Sequence, residues 1–367
     1  MEDRATAIRL NPFKGLEGPE GTPVPWSPYG RMLQSRPDFT LDPLFHAGCY
    51  YVQDSSAMYV GHIFRRILDR MPIACKLRVL DLCAAPGGKT TDLAASLRER
   101  CGDAFELVSN EVMKARAAVL RENVALWGDP AVVVTSVDPA VIGRSLPGYF
   151  DVIVADVPCS GEGMFRKNAR AEQEWSENIV SLCAARQKRI LADVWPSLKQ
   201  GGFLVYSTCT YEQAENDDNL AWAAEELGGD ILEAEDEFPQ YGVRLTRFGN
   251  LLKAGEVPGE GQWVGALRKT AEAPVPGRHG SEVLRPFAPE AADTCLSIER
   301  DPGIPTAELD LQQALMYLHR DSLHLPDAPK GLLAVCYKGH PLGYVKNLGS
   351  RCNNLLPKGR RILKDVK

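Results

Sequence analysis

"LDLCAAPGGKTTDL" (residues 80–93) is the stretch on which the fold turns. Strand-prone Arg78–Leu82 runs into Pro-Gly-Gly-Lys-Thr and a helix follows, the strand–loop–helix order of an open α/β sheet. The loop closes as a nucleotide-phosphate loop does, on Gly88-Lys89-Thr90. That pattern also demands a glycine five positions before Gly88. Cys83 stands there, so the pattern fails where the loop must begin to wrap a phosphate.

Outward from this loop, strands and helices alternate from about 71 to 269. Predicted strands are Arg78–Leu82, Glu106–Asn110, Val132–Thr135, Val152–Asp156 and Phe203–Ser207, with helices over 112–127 and 172–196. In the second helix Trp175, Ile179, Leu182, Arg186, Ile190 and Val194 recur at spacings of three and four. Ligands of such sheets sit beyond the carboxyl ends of the strands. Glu111 follows the second strand, Asp138 the third, and Asp156 ends the fourth, opposed by Lys89 alone from the glycine loop. Three carboxylates repel a triphosphate. They suit S-adenosyl-L-methionine, which carries a sulfonium, an amino group and a ribose but no phosphate. An acid about 20 residues past the glycines commonly grips ribose hydroxyls, and Gly87 and Gly88 let the backbone approach a ligand closely. The loop reads as a cradle for that methyl donor.

The 367 residues are 44% hydrophobic and 25% charged, ordinary for a soluble globular chain. Neither a charged-then-apolar leader nor an apolar run of membrane length occurs. A soluble, cytoplasmic protein with no membrane association is expected, and nothing demands more than a monomer. The ten cysteines include no C-x-x-C pair, so neither a disulfide framework nor a metal site is expected. The net charge of −6 hides an asymmetry: Lys330–Lys367 holds nine Lys/Arg and one acid, Asp365, giving +8, which leaves −14 on the other 329 residues. A basic end suggests an anionic partner; the competing reading is a solubilising tail. The segment is not low-complexity, because Leu332, Leu333, Val335, Tyr337, Leu342, Tyr344 and Val345 alternate or cluster as strands would.

Two cysteines stand apart. Cys159, in "ADVPCSGEGMFRK" (155–167), and Cys209, in "YSTCTYEQAEND" (206–217), both fall at carboxyl ends of neighbouring strands. Cys49, Cys75, Cys83, Cys101, Cys183, Cys295 and Cys336 read instead as small buried apolar residues.

Taken together, "DVPCSGEG" and "YSTCT" after "LDLCAAPGGKT" resemble the Nop/Sun-type family of RNA cytosine-C5 methyltransferases, over most of 45–269. "AGCYYVQDSSAM" (47–58) resembles the family segment before the catalytic domain, with Asp54 where Glu is more usual, and "GEGQWVGALRK" (259–269) its closing strands. "GYVKNLGSRCNNLLPKGRRIL" (343–363) is similar to the C-terminal RNA-binding domain of bacterial members acting on small-subunit ribosomal RNA, the RsmF group. The resemblance implies an α/β, Rossmann-like methyltransferase domain over 71–269 with a seven-stranded, mostly parallel sheet. It also implies a short N-terminal α+β module of RNA-binding type over 1–70. A linker over 270–284 then leads to a basic, β-rich, PUA-like domain over 285–367. "RATAIRLNPFKG" (4–15) resembles the middle of the family's N-terminal region, so that module is expected to be truncated. RNA docking would then rest on the C-terminal domain, and deleting 285–367 would abolish RNA binding while sparing the donor.

The resemblance also implies a mechanism. Cytosine carbon 5 is a poor nucleophile, and a thiolate adding to carbon 6 turns the ring into an enamine able to attack the sulfonium methyl. Cys209 is then the nucleophile. Cys159 helps remove the carbon-5 proton and release product, and Asp156 bonds the N3/N4 edge of the base. Donor contacts are Cys83, Ala84, Ala85, Pro86, Gly87, Gly88, Lys89, Glu111, Asp138 and Asp156, while Asp81 shapes the loop. Arg116 matches a family arginine near the donor, with a surface salt bridge as the alternative. The base must be flipped out or single-stranded. Arg166, Lys167 and Arg170 are candidates for flanking phosphates, as are Lys346, Arg351, Lys358, Arg360 and Arg361 at the basic end. Ribosomal RNA or the small subunit is the favoured partner. The same chemistry on transfer RNA, or a ribosome-assembly factor that binds RNA without catalysis, are the alternatives. DNA ranks low, since DNA cytosine methyltransferases use the Pro-Cys cysteine and lack a Thr-Cys partner.

Overall fold

The computed structural model describes residues 6–72, 76–162, 175–272, 283–287, 296–297 and 302–364. A central sheet dominates. Strands β5 (Leu77–Asp81), β6 (Phe105–Asn110), β7 (Val132–Thr135), β8 (Phe150–Asp156) and β9 (Leu198–Thr208) are all parallel, in the order β9-β8-β5-β6-β7. The chain steps outward from β5 to β6 and β7, then returns to lay β8 against β5. The topological switch point therefore lies between β5 and β8, where a ligand crevice forms.

Four more strands extend the sheet past β9: β10 (Gly229–Ile231), β11 (Val243–Leu245), β12 (Gly249–Lys253) and β13 (Gly261–Lys269). β13 runs antiparallel to β9, from Trp263 opposite Thr208 to Arg268 opposite Phe203. Among the described residues the mixed sheet thus has nine strands, two more than the seven the resemblance implies. Every predicted strand is present, Val132–Thr135 with the same ends and the others with ends shifted by at most five residues.

Both faces of the sheet are covered, so its central strands read as nearly continuous apolar runs. Alternate residues serve opposite faces. Val79, Val152 and Val154 pack with the helices Met58–Arg70 and Gly88–Cys101. Leu80, Ile153 and Ala155 pack with the helices Glu177–Val194 and Asp217–Leu227. The predicted helix over 172–196 is observed as Glu177–Val194, capped by Ser176; residues 172–174 lie outside the described residues. Its buried stripe is Val180, Cys183, Gln187, Leu191 and Val194, one position round from the apolar spacing read in the sequence, and Leu182 is 66% exposed. The reason is Gln187, a polar residue in the core whose amide is satisfied there.

The N-terminal sheet has the order β2-β3-β1-β4, from β1 (Thr6–Leu10), β2 (Thr22–Pro23), β3 (Gly30–Leu33) and β4 (Tyr50–Val52). Gly48 turns the chain, at φ +72°, and a Cβ there would meet Leu126 O at 1.8 Å. β4 follows, and then a helix that starts at Met58. The C-terminal sheet is β14 (Thr306–Glu308), β15 (Gly331–Tyr337), β16 (His340–Asn347) and β17 (Cys352–Asn354), beside the helix Leu311–Leu318. These two ends of the chain share one core: Ile8, Leu10 and Tyr50 cluster with Tyr317, Leu318, Val335 and Val345. Among the described residues, no helix is long and apolar enough to cross a membrane.

Candidate active site

The ladder continues one bond past each strand end, which keeps the crevice loops in register. Leu82 N bonds Val154 O, Ala84 N bonds Asn110 O, Glu111 N bonds Thr135 O, and Val157 N bonds Ser207 O, at 2.9–3.1 Å. Buried Asn110 braces the ends of β6 and β7, accepting from Thr135 Oγ1 and Val137 N and donating to Val137 O, each at 2.9 Å.

The glycine loop occupies the β5 end. Gly87, at φ +114°, caps the helix Gly88–Cys101, and the Ala85–Pro86 bond is cis. Asp81 sits behind the loop and accepts from Thr90 Oγ1 at 2.6 Å, as the loop-shaping reading requires. Complete burial pushes its carboxyl up to about 7, opposed by the Thr90 bond. Burial, with Asp156 and Asp81 near, also raises the Cys83 thiol, which keeps it protonated and inert.

Glu111 is 3% exposed at the β6 end. Its Oε1 accepts from Met113 N at 3.0 Å, and Oε2 lies 3.3 Å from Arg116 Nη1. Arg116 also donates to Ala85 O at 2.9 Å. Its salt bridge therefore links the loop to the acid beside it. Asp138 is exposed at the β7 end and caps the helix Pro139–Ser145 through Ala140 N at 2.8 Å.

The two cysteines meet. Cys159 Sγ and Cys209 Sγ are 3.1 Å apart, and Cys209 N lies 3.3 Å from Cys159 Sγ. Asp156 stands at the head of the same crevice with both oxygens engaged. Oδ1 accepts from Ser207 Oγ at 2.7 Å and Gln262 Nε2 at 3.1 Å, and Oδ2 from Lys89 Nζ at 2.8 Å. Burial opposes the Lys89 charge, but Asp156 overcomes it and the ammonium pKa is raised. A thiol hydrogen bond from Cys159 holds Cys209 below its ordinary value against burial, with help from Lys89. The same bond, together with burial, raises Cys159 well above its own. The pair thus sets one lowered thiol beside one raised thiol, the environment that favours a thiolate at Cys209 over Cys159.

Residues that sequence reasoning missed hold this geometry. Glu215, fully buried, accepts from Ser160 N at 3.1 Å and Gln187 Nε2 at 2.6 Å, and Gln187 also donates to Pro158 O at 3.0 Å. Glu162 Oε2 accepts from Thr210 Oγ1 at 2.8 Å and Tyr211 N at 2.7 Å, which clamps one cysteine loop to the other. Gln262 joins Asp156 to Thr208 O, at 2.8 Å, just before the nucleophile candidate. The signal was available for Glu162 and Glu215, which lie inside the quoted cysteine motifs. Gln262 also lies in a quoted stretch (259–269), but it arrives on an antiparallel strand from far along the chain, and its register is not a local signal.

The residues fit the donor named above. Lys89 is held by Asp156 and so is not presented to a phosphate. Buried Glu111, and Asp156 paired with Lys89 at 2.8 Å, suit a ribose diol and a positive centre. Of the RNA candidates, Lys346, Arg351, Lys358 and Arg361 are exposed. Arg360 is half-buried and donates to His46 O at 3.0 Å, which ties the C-terminal domain to the N-terminal module. Arg166, Lys167 and Arg170 lie outside the described residues.

Three family models match this chain. The 16S rRNA methyltransferase RsmB/F model matches residues 74–227, the N-terminal domain of 16S rRNA methyltransferase RsmF matches 1–55, and the methyltransferase RsmF PUA domain matches 305–362. Ribosomal RNA small subunit methyltransferase F of Pectobacterium carotovorum subsp. carotovorum is 34% identical over 325 residues, 83% of this chain and 64% of that protein. The protein of the same name from Salmonella agona is 35% identical over 295 residues, 77% and 59% of the two. The chain thus spans about three fifths of the length of these curated relatives. A solved methyltransferase homolog protein from Pyrococcus horikoshii superposes with a TM-score of 0.59 at 26% identity, covering 72% of this chain and 87% of that one.

Proposed function

The chain belongs to the RsmB/F family of 16S rRNA methyltransferases, and from that premise we propose that it methylates carbon 5 of a cytosine in small-subunit ribosomal RNA. Residues 83–89, Glu111, Asp138 and Asp156 would hold S-adenosyl-L-methionine, which supplies an electrophilic methyl group when bound. Cys209 adds to carbon 6, forming an Sγ–C6 bond and making carbon 5 nucleophilic. Asp156, locked by Ser207, Gln262 and Lys89, accepts from the exocyclic amino group and orients the ring. As Cys209 adds, Cys159 gives its thiol proton to the ring, and after methylation the Cys159 thiolate takes the carbon-5 proton. The electrons of that C–H bond re-form the ring double bond and expel the Cys209 thiolate. Exposed Lys346, Arg351, Lys358 and Arg361 grip phosphates of the RNA.

The observation that carries this reading is the thiol pair: two cysteines from adjacent strands, 3.1 Å apart, one lowered and one raised, beside a carboxylate locked by three donors. A single nucleophile would need only one of them. The test is a covalent trap. Cys159→Ala and Cys209→Ala are incubated with S-adenosylmethionine and small-subunit RNA lacking the modification, then run on denaturing gels. Cys159→Ala accumulates a protein–RNA adduct and Cys209→Ala does not. An adduct with Cys209→Ala reverses the two roles, and none with either variant removes the catalytic reading. Offering total RNA and sequencing the trapped species separates ribosomal from transfer RNA.

A further inference from the structure

We propose that Arg9, on the first strand of the N-terminal sheet, is a positioning residue for the methyl-donor loop. The inference rests on the reading of residues 83–89 as the donor's cradle. Four consecutive carbonyls of that loop each meet a donor. Ala85 O takes Arg116 Nη2 at 2.9 Å, Pro86 O takes Asn123 Nδ2 at 2.7 Å, Gly87 O takes Thr91 Oγ1 at 3.0 Å, and Gly88 O takes Arg9 Nη2 at 3.1 Å. In a planar trans peptide the N–H points opposite the carbonyl. With these carbonyls turned to the protein, the N–H groups of Gly87, Gly88 and Lys89 point the other way.

Arg9 is the one of these four donors that the N-terminal module supplies. Its guanidinium is fully buried and is held through Nε and Nη2, while Nη1 meets no hydrogen-bond partner among the described residues. Nε donates to Gln53 Oε1 at 2.9 Å and lies 3.9 Å from Asp92 Oδ2, Nη2 also donates to Thr91 Oγ1, and the plane sits 4.7 Å over the Trp127 ring. Replacing a whole buried ion pair by packed apolar residues is often neutral or stabilising, so a core alone does not call for a buried cation. What the apolar residue cannot do is reach Gly88 O and Thr91 together, which the planar fork of an arginine does.

The same segment secures the helix that carries the neighbouring donors. Asn11 Nδ2 donates to Trp127 O at 3.1 Å, and Lys14 Nζ to Leu126 O at 2.8 Å, both at the end of the helix Lys114–Trp127 that bears Arg116 and Asn123. A module matched as an RNA-enzyme N-terminal domain therefore forms the back wall of the donor site.

The test is calorimetric titration of the full chain with S-adenosylmethionine, read beside thermal melting. Arg9→Met is compared with Arg65→Met, because Arg65 shares Asp92 at 3.0 Å and makes none of the four loop contacts. Arg9→Met binds the donor about tenfold more weakly, the loss of one charge-assisted bond. Arg65→Met, losing comparable thermal stability, keeps wild-type affinity. Wild-type affinity in folded Arg9→Met, or an equal loss in Arg65→Met, overturns the proposal. Should Arg9→Met not fold, Arg9→Lys keeps a cation beside Asp92 without the fork, and wild-type affinity there overturns it equally. If the wild-type chain does not bind S-adenosylmethionine, the donor reading itself falls, and the proposal with it.

Discussion

Replacing Cys159 with alanine should move the titration of Cys209 to higher pH. The thiol of Cys159 lies 3.1 Å from Cys209 Sγ and stabilises its thiolate by donating to it. Hydrogen bonds to charged groups contribute about 1.5–3 kcal/mol, and S–H is a weak donor, so the lower end applies. About 1.4 kcal/mol is a factor of ten in thiolate population at neutral pH. A more basic thiolate is also a better nucleophile, by about threefold for that change. The net expectation is alkylation of Cys209 by iodoacetamide about three- to fourfold slower in Cys159→Ala. The truncation widens access and lifts the plateau rate, so the readout is the midpoint of the pH–rate curve, followed by mass spectrometry of the Cys209 peptide. Cys159→Ser, which keeps a donor, should shift it less. A midpoint lower than wild type would mean that Cys159 carries the thiolate and Cys209 the proton, and the assignment of nucleophile and acid would reverse.

Other consequences follow from single groups. Asp81 has a folded carboxyl pKa of about 7 against an ordinary 3.8, so the folded chain binds more protons between those values and loses stability as pH rises through them. Asp81→Asn should flatten that slope and melt higher than wild type above neutral pH, by at most about 4 kcal/mol in denaturant titrations. Arg98 forks onto Asp129 at 2.8 and 3.0 Å, and the Asp129 side chain is 1% exposed. Arg98→Ala should cost about 3–5 kcal/mol, with part regained on adding Asp129→Asn. Lys346→Ala with Arg351→Ala should weaken binding of single-stranded RNA and reduce the magnitude of the log–log salt slope by about 1.4, roughly 0.7 per lost contact. An unchanged slope would remove this face from the interface. Arg360→Ala, by contrast, should lower the melting temperature through its bond to His46 O, with little change in slope.

The catalytic half was legible because its chemistry is local in sequence. Each acid or cysteine of the crevice follows a strand directly, and parallel order fixes which end those residues share. The helix Glu177–Val194 was legible in extent but not in face, because the eye follows apolar spacing and Gln187 is polar. Its partners, Pro158 O and Glu215, come from the cysteine loops, so only the folded site explains why an amide belongs in that core. Gln262 escaped for the opposite reason. Its strand was read, but an antiparallel register decides which of its residues reaches Asp156, and no local pattern encodes that register.

The ends of the chain were the least legible, since each looks like a separate module. Ile8, Leu10 and Tyr50 pack in one cluster both with Leu33, Phe39 and Leu44 of their own module and with Tyr317, Leu318, Val335 and Val345 of the C-terminal domain. Deleting 285–367 would therefore uncover the strand that carries Arg9. This packing leads to a different expectation for such a truncation: weaker donor binding together with weaker RNA binding. Removing the C-terminal domain loosens β1, β1 carries the guanidinium that holds Gly88 O, and donor affinity falls with it. Surface charge substitutions at Lys346 and Arg351 leave that core intact. They, rather than truncation, separate how the chain grips RNA from how it holds the methyl donor.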